Sequence, residues 1–234
     1  MLSEYNFCAE AFKKSGLELS EELYRKLDIY AEFLVEYNKN VNLTAITEPT
    51  EILYKHFIDS ILLAKYIEIP EKSSVIDVGT GAGFPSVPLK LYRPDLKITL
   101  LDSLKKRIIF LEKLCEKLGI SAEFIHGRAE ECGKSTELRE GFDVASARAV
   151  ANMSVLGEIC LPFVRKGGIF TAMKGPSENI SDGRNAVETL GGRMEKEFVY
   201  EVYGEKRRIV VVKKISQTPT KYPRNSGQIK KKPL

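Results

Sequence analysis

Asp77, Gly79, Gly81 and Gly83 occupy alternate positions in the stretch VIDVGTGAGFPSVPL, and their types suit the binding of a ligand against bare backbone. Glycine has no Cβ, so the chain can reach φ > 0 in such a turn, and a following helix, which Pro85 permits, would turn its positive end toward the ligand. Two nucleotide-binding patterns fit poorly. A dinucleotide turn, G-x-G-x-x-G, puts its third glycine where this chain has Phe84. A phosphate-binding loop needs Lys and then Ser or Thr after its last glycine, where Phe84-Pro85 stands.

The elements that must hold this turn are readable from periodicity. Ser74–Val78 is short, β-branched and bounded by turn residues, which predicts a buried strand; Lys97–Asp102 reads as a second. Residues 105–119 repeat Ile108, Leu111, Cys115 and Leu118 on a helical face that ends at Gly119. Further strands are predicted over 122–126, 142–146 and 168–173, with helices over 152–164 and 178–190. This alternation implies a parallel sheet with crossover helices. The runs 196–202 and 207–215, separated by Tyr203-Gly204-Glu205-Lys206, predict a closing hairpin. Upstream, Leu23, Leu27, Tyr30, Leu34, Tyr37 and Val41 stand four and three apart, the stripe of an amphipathic helix. The expected organisation is a helical extension over 1–70, a sheet domain over 71–215 and a basic tail over 216–234.

An acidic residue at a strand end followed by alternating glycines resembles the first motif of S-adenosylmethionine-dependent methyltransferases. For that cofactor, Asp102 at the end of the second strand could accept the two ribose hydroxyls, although a helix N-cap is an equally good role for it. Ala129 and Glu130, after the third strand, are candidates for the adenine amino group, and Phe84 either lines the methionine end or belongs to the core. The fourth strand carries Ser146-Ala147-Arg148-Ala149-Val150 and lacks the Asp or Asn-Pro-Pro-aromatic motif of exocyclic-amine methylation. None of Cys8, Cys115, Cys132 and Cys160 has the setting of a pyrimidine C5 nucleophile. Guanine N7 would suit so bare a site, because its in-plane lone pair is already available and the reaction needs alignment more than acid–base help.

Read together and in order, Asn42-Leu43-Thr44, His56-x-x-Asp59-Ser60, VIDVGTGAGFPSVPL, LLDSLKKR, GRAEE, SARAV, MKG and TPTKYPRNSGQIKKKPL resemble the bacterial 16S ribosomal RNA guanine-N7 methyltransferases, the glucose-inhibited division protein B family. The resemblance spans roughly residues 40–234. It implies an α/β fold, the class I (Rossmann-like) seven-stranded methyltransferase domain with a helical N-terminal extension. It also implies S-adenosyl-L-methionine as cofactor and 7-methylguanosine in 16S ribosomal RNA as product. Its cofactor residues map to Gly79, Phe84, Ala129, Glu130 and Arg148. Arg148 could equally meet guanine O6 or a phosphate.

Charge distribution bears on the partner. Residues 205–234 hold ten basic side chains against Glu205 alone, a net +9, so with +4 overall the other 204 residues sum to −5. A polyanion is the expected partner, with Lys174, Lys221, Arg224, Lys230, Lys231 and Lys232 as candidate RNA contacts; a merely solvated tail is the alternative. The last fifteen or so residues are poor in apolar side chains, which predicts disorder until bound. His56 borders the stripe Leu53, Phe57, Ser60 and Ala64 and reads as a hydrogen-bonded core residue, while Asn42 and Thr44 read as caps for a helix starting near Thr47.

Two histidines and no CxxC pair argue against a metal or a disulfide. No signal peptide and no run of ~18 apolar residues is present, so a cytoplasmic monomer is expected. The competing functions are a methyltransferase for a protein or small molecule, and a ribosome assembly factor with a vestigial cofactor site.

Overall fold

The computed structural model describes residues 1–148, 151–176 and 179–234. Seven strands form one sheet in the order β3-β2-β1-β4-β5-β7-β6. They are β1 Ser74–Val78, β2 Lys97–Asp102, β3 Glu123–His126, β4 Phe142–Arg148, β5 Val164–Lys174, β6 Gly192–Val202 and β7 Glu205–Lys214. The first five pair in parallel, and β7 pairs antiparallel with both β5 and β6. Strand order reverses between β1 and β4, which opens a crevice at their carboxyl ends.

Local sequence accounts for these elements. β1, β2 and β4 are buried nearly throughout, as a sheet covered on both faces requires. The hairpin between β6 and β7 turns on Tyr203 and Gly204 alone, at φ 52° and 71°, the two positive φ values of a tight I′ turn. Helix α6 (Lys105–Leu118) buries the predicted stripe and ends on Gly119 in the left-handed region. Strands β5 and β6 begin four residues earlier than periodicity predicts, because Val164 and Gly192 already pair across the sheet. The predicted 152–164 helix is shorter, α8 (Met153–Cys160), since Pro162 places a single tight turn before β5. Only Arg184–Thr189 of the 178–190 segment is α-helical (α9); Glu178, Ala149 and Val150 lie outside the described residues.

The N-terminal helices α1 (Tyr5–Lys14), α2 (Glu21–Asn38) and α4 (Asp59–Tyr66) share one hydrophobic core with the sheet, while the single turn α3 (Pro49–Glu51) buries no residue. Between α3 and α4 the chain winds as a π-helix over Ile52–Ile58. The helix start is capped by Glu48, not by Asn42 or Thr44. Tyr30 of α2 is fully buried and its hydroxyl donates to the Ala82 carbonyl, so the extension props the glycine turn from below.

Two glycine-turn residues face that core. A Cβ on Gly83 would stand 2.7 Å from Tyr30 Oη and 2.8 Å from Val87, so this glycine permits close packing, and it is not among the residues that line the cleft described below. Asp77 is also buried and accepts hydrogen bonds from the Thr80 hydroxyl, the Ser86 amide and the Ser146 hydroxyl. It shapes the turn from beneath instead of lining the crevice.

The tail is folded, which corrects the expectation of disorder. Residues Ser226–Lys231 form helix α10, and Thr218, Tyr222 and Ile229 are buried. Arg139 donates to the carbonyls of Thr218, Pro219 and Tyr222. Arg224 pairs through Nη2 (2.6 Å) and Nε (2.8 Å) with fully buried Glu158 of α8, which also accepts the Arg224 amide. Arg224, a predicted RNA contact, is therefore also an anchor of the tail. Composition averaged over the window conceals these few well-placed anchors.

Among the described residues no helix is long and apolar enough to cross a membrane, and no group of three or more His, Cys, Asp or Glu is placed to hold a metal.

Candidate active site

A cleft of about 370 Å³ lies at the carboxyl ends of β1, β2 and β4. Its floor is the turn Gly79–Ala82 with Phe84; Asp102, Ser103 and Arg107 close it on the β2 side, Arg148 on the β4 side, and Leu43, Thr44 and His56 form an outer wall from the N-terminal segment. Gly79 and Gly81 have φ of 73° and 60°, and a Cβ on Gly81 would meet only the Gly79 carbonyl oxygen, at 4.0 Å. That Cβ would project into open space on the ligand side.

The residues fit an adenosyl group. Asp102, only 2% exposed, accepts the amides of Gly81 (3.0 Å) and Leu104 (2.9 Å) and one Arg107 N–H (3.2 Å). A carboxylate has about four acceptor positions, so one remains, and half-exposed Arg107 can vacate another for a ribose diol. Asp102 thus caps the turn and the helix start while keeping an acceptor position toward the cleft. Ala129 and Glu130, in the short helix α7 (Ala129–Cys132), lie outside the cleft lining, yet Glu130 Oε1 is buried and, although ion-paired with Arg128 Nη1 at 3.9 Å, has no hydrogen-bond partner. A buried acceptor left open is costly, and an exocyclic amino group would satisfy it.

At the opposite end a chain of hydrogen bonds fixes one arrangement. Asp59 accepts from Arg148 Nη1 at 3.0 Å and from the Tyr200 hydroxyl at 2.8 Å. Arg148 Nη2 lies 2.8 Å from His56 Nδ1, and His56 Nε2 lies 2.9 Å from Thr44 Oγ1. The His56 ring stacks on Phe84 at 4.2 Å, and the Arg148 guanidinium sits 5.4 Å from the centroid of the same ring. Phe84 therefore serves both as core and as cleft wall. His56 is indeed hydrogen-bonded and buried, but in the cleft wall. Asp59 and Tyr200 escaped prediction. The available signal was His56-x-x-Asp59, a spacing that puts two polar side chains on one helical face.

Lys174, a predicted RNA contact, is 5% exposed and donates to the Ala151 carbonyl. None of the thiols is activated. Burial pushes Cys115 up to about 12 and Cys8 up to about 11, and it raises Cys132 and Cys160 as well.

Burial, followed by the Arg148 charge, pushes His56 down to about 3, so it is neutral in the folded protein. The unfolded chain titrates near 6.5, so this group's stabilisation is complete above pH 6.5 and is lost as pH falls toward 3. Asp77 acts in the other sense: burial raises it to about 7, and its contribution, complete below 3.8, is lost as pH rises through 7. Because the two windows overlap, a whole-protein stability curve would hide both. Imidazole NMR reads His56 alone and should show no titration of that ring between pH 8 and 5, whereas a midpoint near 6.5 would contradict the buried network.

Comparison with known proteins accords with this geometry. The family model described as rRNA small subunit methyltransferase G matches residues 23–210. A ribosomal RNA small subunit methyltransferase G from Clostridium botulinum (strain Eklund 17B / Type B) is 49% identical over 98% of both chains. The protein of the same name from Lactobacillus acidophilus is 48% identical over 94% of this chain and 95% of its own. Among solved structures, TrmN from Thermus thermophilus superposes with TM-score 0.53 at 17% identity, over 68% of this chain and 48% of that one. The Bacillus subtilis M1A22 tRNA methyltransferase TrmK gives 0.54 at 13%, over 68% and 66%. These two likenesses concern the fold alone. The near full-length identity and the family model together establish that this chain belongs to the rRNA small subunit methyltransferase G family.

Proposed function

We propose that the protein is a cytoplasmic, monomeric methyltransferase that uses S-adenosyl-L-methionine to methylate N7 of a guanine in 16S ribosomal RNA. The cofactor supplies an electrophilic methyl group on a sulfonium sulfur. Asp102 and the Gly79–Ala82 backbone would hold its ribose and methionine portions, and Glu130 would take the adenine amino group. N7 of the guanine would accept the methyl group through its in-plane lone pair, so no protein group needs to take a proton.

The observation that carries this reading is the state of the side chains at the Arg148 end of the cleft. His56 has one nitrogen accepting from Arg148 and the other donating to Thr44, and Asp59 is engaged by Arg148 and Tyr200. His56 therefore offers the cleft no acceptor nitrogen, Asp59 is buried and absent from the cleft lining, and none of the thiols is lowered. An exocyclic amine or a ribose hydroxyl must lose a proton on methylation, whereas N7 needs none.

The exposed Lys221, Lys230, Lys231 and Lys232 remain the tail's candidate phosphate contacts, carried on a docked segment. Replacing any one of them by alanine should reduce the slope of log affinity against log salt by about 0.7 on single-stranded RNA. Incubation with methyl-labelled cofactor and, separately, small ribosomal subunits, naked 16S RNA and a protein fraction tests the substrate class. Label in either RNA sample supports the proposal. Label confined to protein, or none with any substrate, would refute it.

A further inference from the structure

The hydrogen-bond chain in the outer wall has a direction, and it ends on a hydroxyl that lines the cleft. A guanidinium has donors only, so His56 Nδ1, 2.8 Å from Arg148 Nη2, must be the acceptor nitrogen. The ring is then protonated on Nε2, which donates to Thr44 Oγ1 at 2.9 Å. The Ile46 amide donates to the same oxygen at 3.0 Å. A hydroxyl has two acceptor positions, and both are now filled. Thr44 can therefore only donate, and no acceptor for its proton exists among the described residues. Its backbone is fixed as well: the Thr44 amide donates to Asn38 Oδ1 (3.0 Å), and the Thr44 carbonyl accepts from Asn38 Nδ2 (2.9 Å).

This is a preset donor at the Arg148 end of the cleft, separated from Asp102 by the glycine turn. Guanine presents two acceptors on its major-groove edge, N7 and O6, whereas adenine presents N7 beside an amino group. If N7 faces the methyl donor, the neighbouring position-6 substituent meets the wall. An O6 there would accept the Thr44 proton. An amino group would set donor against donor and leave both unpaired, the arrangement that sites built for hydrogen bonding reject most strongly.

We infer that Thr44 is a specificity-determining residue, which donates a hydrogen bond to O6 of the target guanine and so selects guanine over adenine-type bases. The inference rests on the N7 reading above. The Arg148–His56 pair acts through Thr44, holding it in the donor state. The bond aligns and selects the base; it neither adds nor removes a proton in the transfer.

The test uses small-subunit RNA in which the target guanine, first mapped with the unaltered protein, is replaced singly by 2,6-diaminopurine or by 7-deazaguanine. 2,6-Diaminopurine keeps N7 but carries an amino group in place of O6. The unaltered protein should favour guanine over it by at least about tenfold in kcat/KM. Thr44→Val should lose about tenfold on guanine and change less than about twofold on 2,6-diaminopurine, so the preference collapses. Thr44→Ser should restore it, and cofactor affinity should be the same in all three. Thr44→Ala provides a second deletion with the same expected pattern should valine disturb the fold. A preference kept by folded Thr44→Val or Thr44→Ala, equal losses on both bases, or a loss of cofactor affinity would overturn the assignment. Methylation of the 7-deazaguanine RNA would instead refute the N7 reading itself, independently of Thr44.

Discussion

Gly81→Val should abolish measurable S-adenosylmethionine binding while leaving the protein folded. The valine side chain would occupy the ligand side of the turn, where a Cβ on Gly81 finds open space, and no neighbouring group could yield to make room for a ligand as well. The φ of 60° adds strain for a branched residue, about 1–3 kcal/mol, which is too little to unfold a domain of this size. Calorimetry should register at least a hundredfold loss of affinity, about 2.7 kcal/mol. Gly83 supplies the contrast. A side chain there meets Tyr30, Val87 and Leu111, so its substitution acts on the core and would show first in thermal unfolding. Unchanged affinity in a folded Gly81→Val protein would remove the turn from the cofactor site.

Arg224→Met should be among the most damaging changes to stability, even though Arg224 belongs to a segment whose composition looks like a solvated tail. Glu158 is completely buried, and Arg224 supplies its two side-chain donors as well as one amide. Removing one partner of such a pair leaves an uncompensated charge in the interior, a cost of about 3 kcal/mol at the lower end of the usual range because Arg224 keeps some exposure. At this chain length that corresponds to a fall of about 6–12 °C in Tm. Glu158→Gln in the same background should recover part of the loss by removing the stranded charge. A fall below about 2 °C would mean that the tail is not docked as described. Ending the chain after Gln217 should carry a similar penalty, because it also takes away buried Tyr222 and Ile229.

The fold is legible in the sequence because its determinants are local. Ser74–Val78 and Lys97–Asp102 stand where alternation and turn residues put them, and the Tyr203-Gly204 hairpin follows from residue types that tolerate positive φ. The cleft is legible where a motif and a strand end coincide, at Gly79, Gly81 and Asp102. It is less legible where the same spacing serves two sides of the chain. Gly83 and Asp77 belong to the glycine pattern, but one faces Tyr30 and the other lies beneath the turn. Sequence spacing does not record on which side of a turn a residue emerges. The protein partners of Lys174 and Arg224 are illegible for a related reason. Composition counts basic side chains as free charge, and their partners, the Ala151 carbonyl and Glu158, become neighbours only through tertiary structure. In the Thr44–His56–Arg148–Asp59 chain the directly bonded pairs lie up to 92 positions apart, and only the folded sheet brings them together.

The central claim is the identity of the acceptor atom, and nucleoside analysis tests it most directly. Small-subunit RNA methylated by the purified protein should be digested and its methylated nucleoside identified by chromatography and mass spectrometry against standards. The account predicts 7-methylguanosine at a single site, absent from the reaction with Gly81→Val. A methyl group on an exocyclic amine, on a ribose hydroxyl or on a pyrimidine carbon would contradict it, because each needs a base or a nucleophile, and at the Arg148 end of the cleft His56 offers no acceptor nitrogen and no thiol lines the wall.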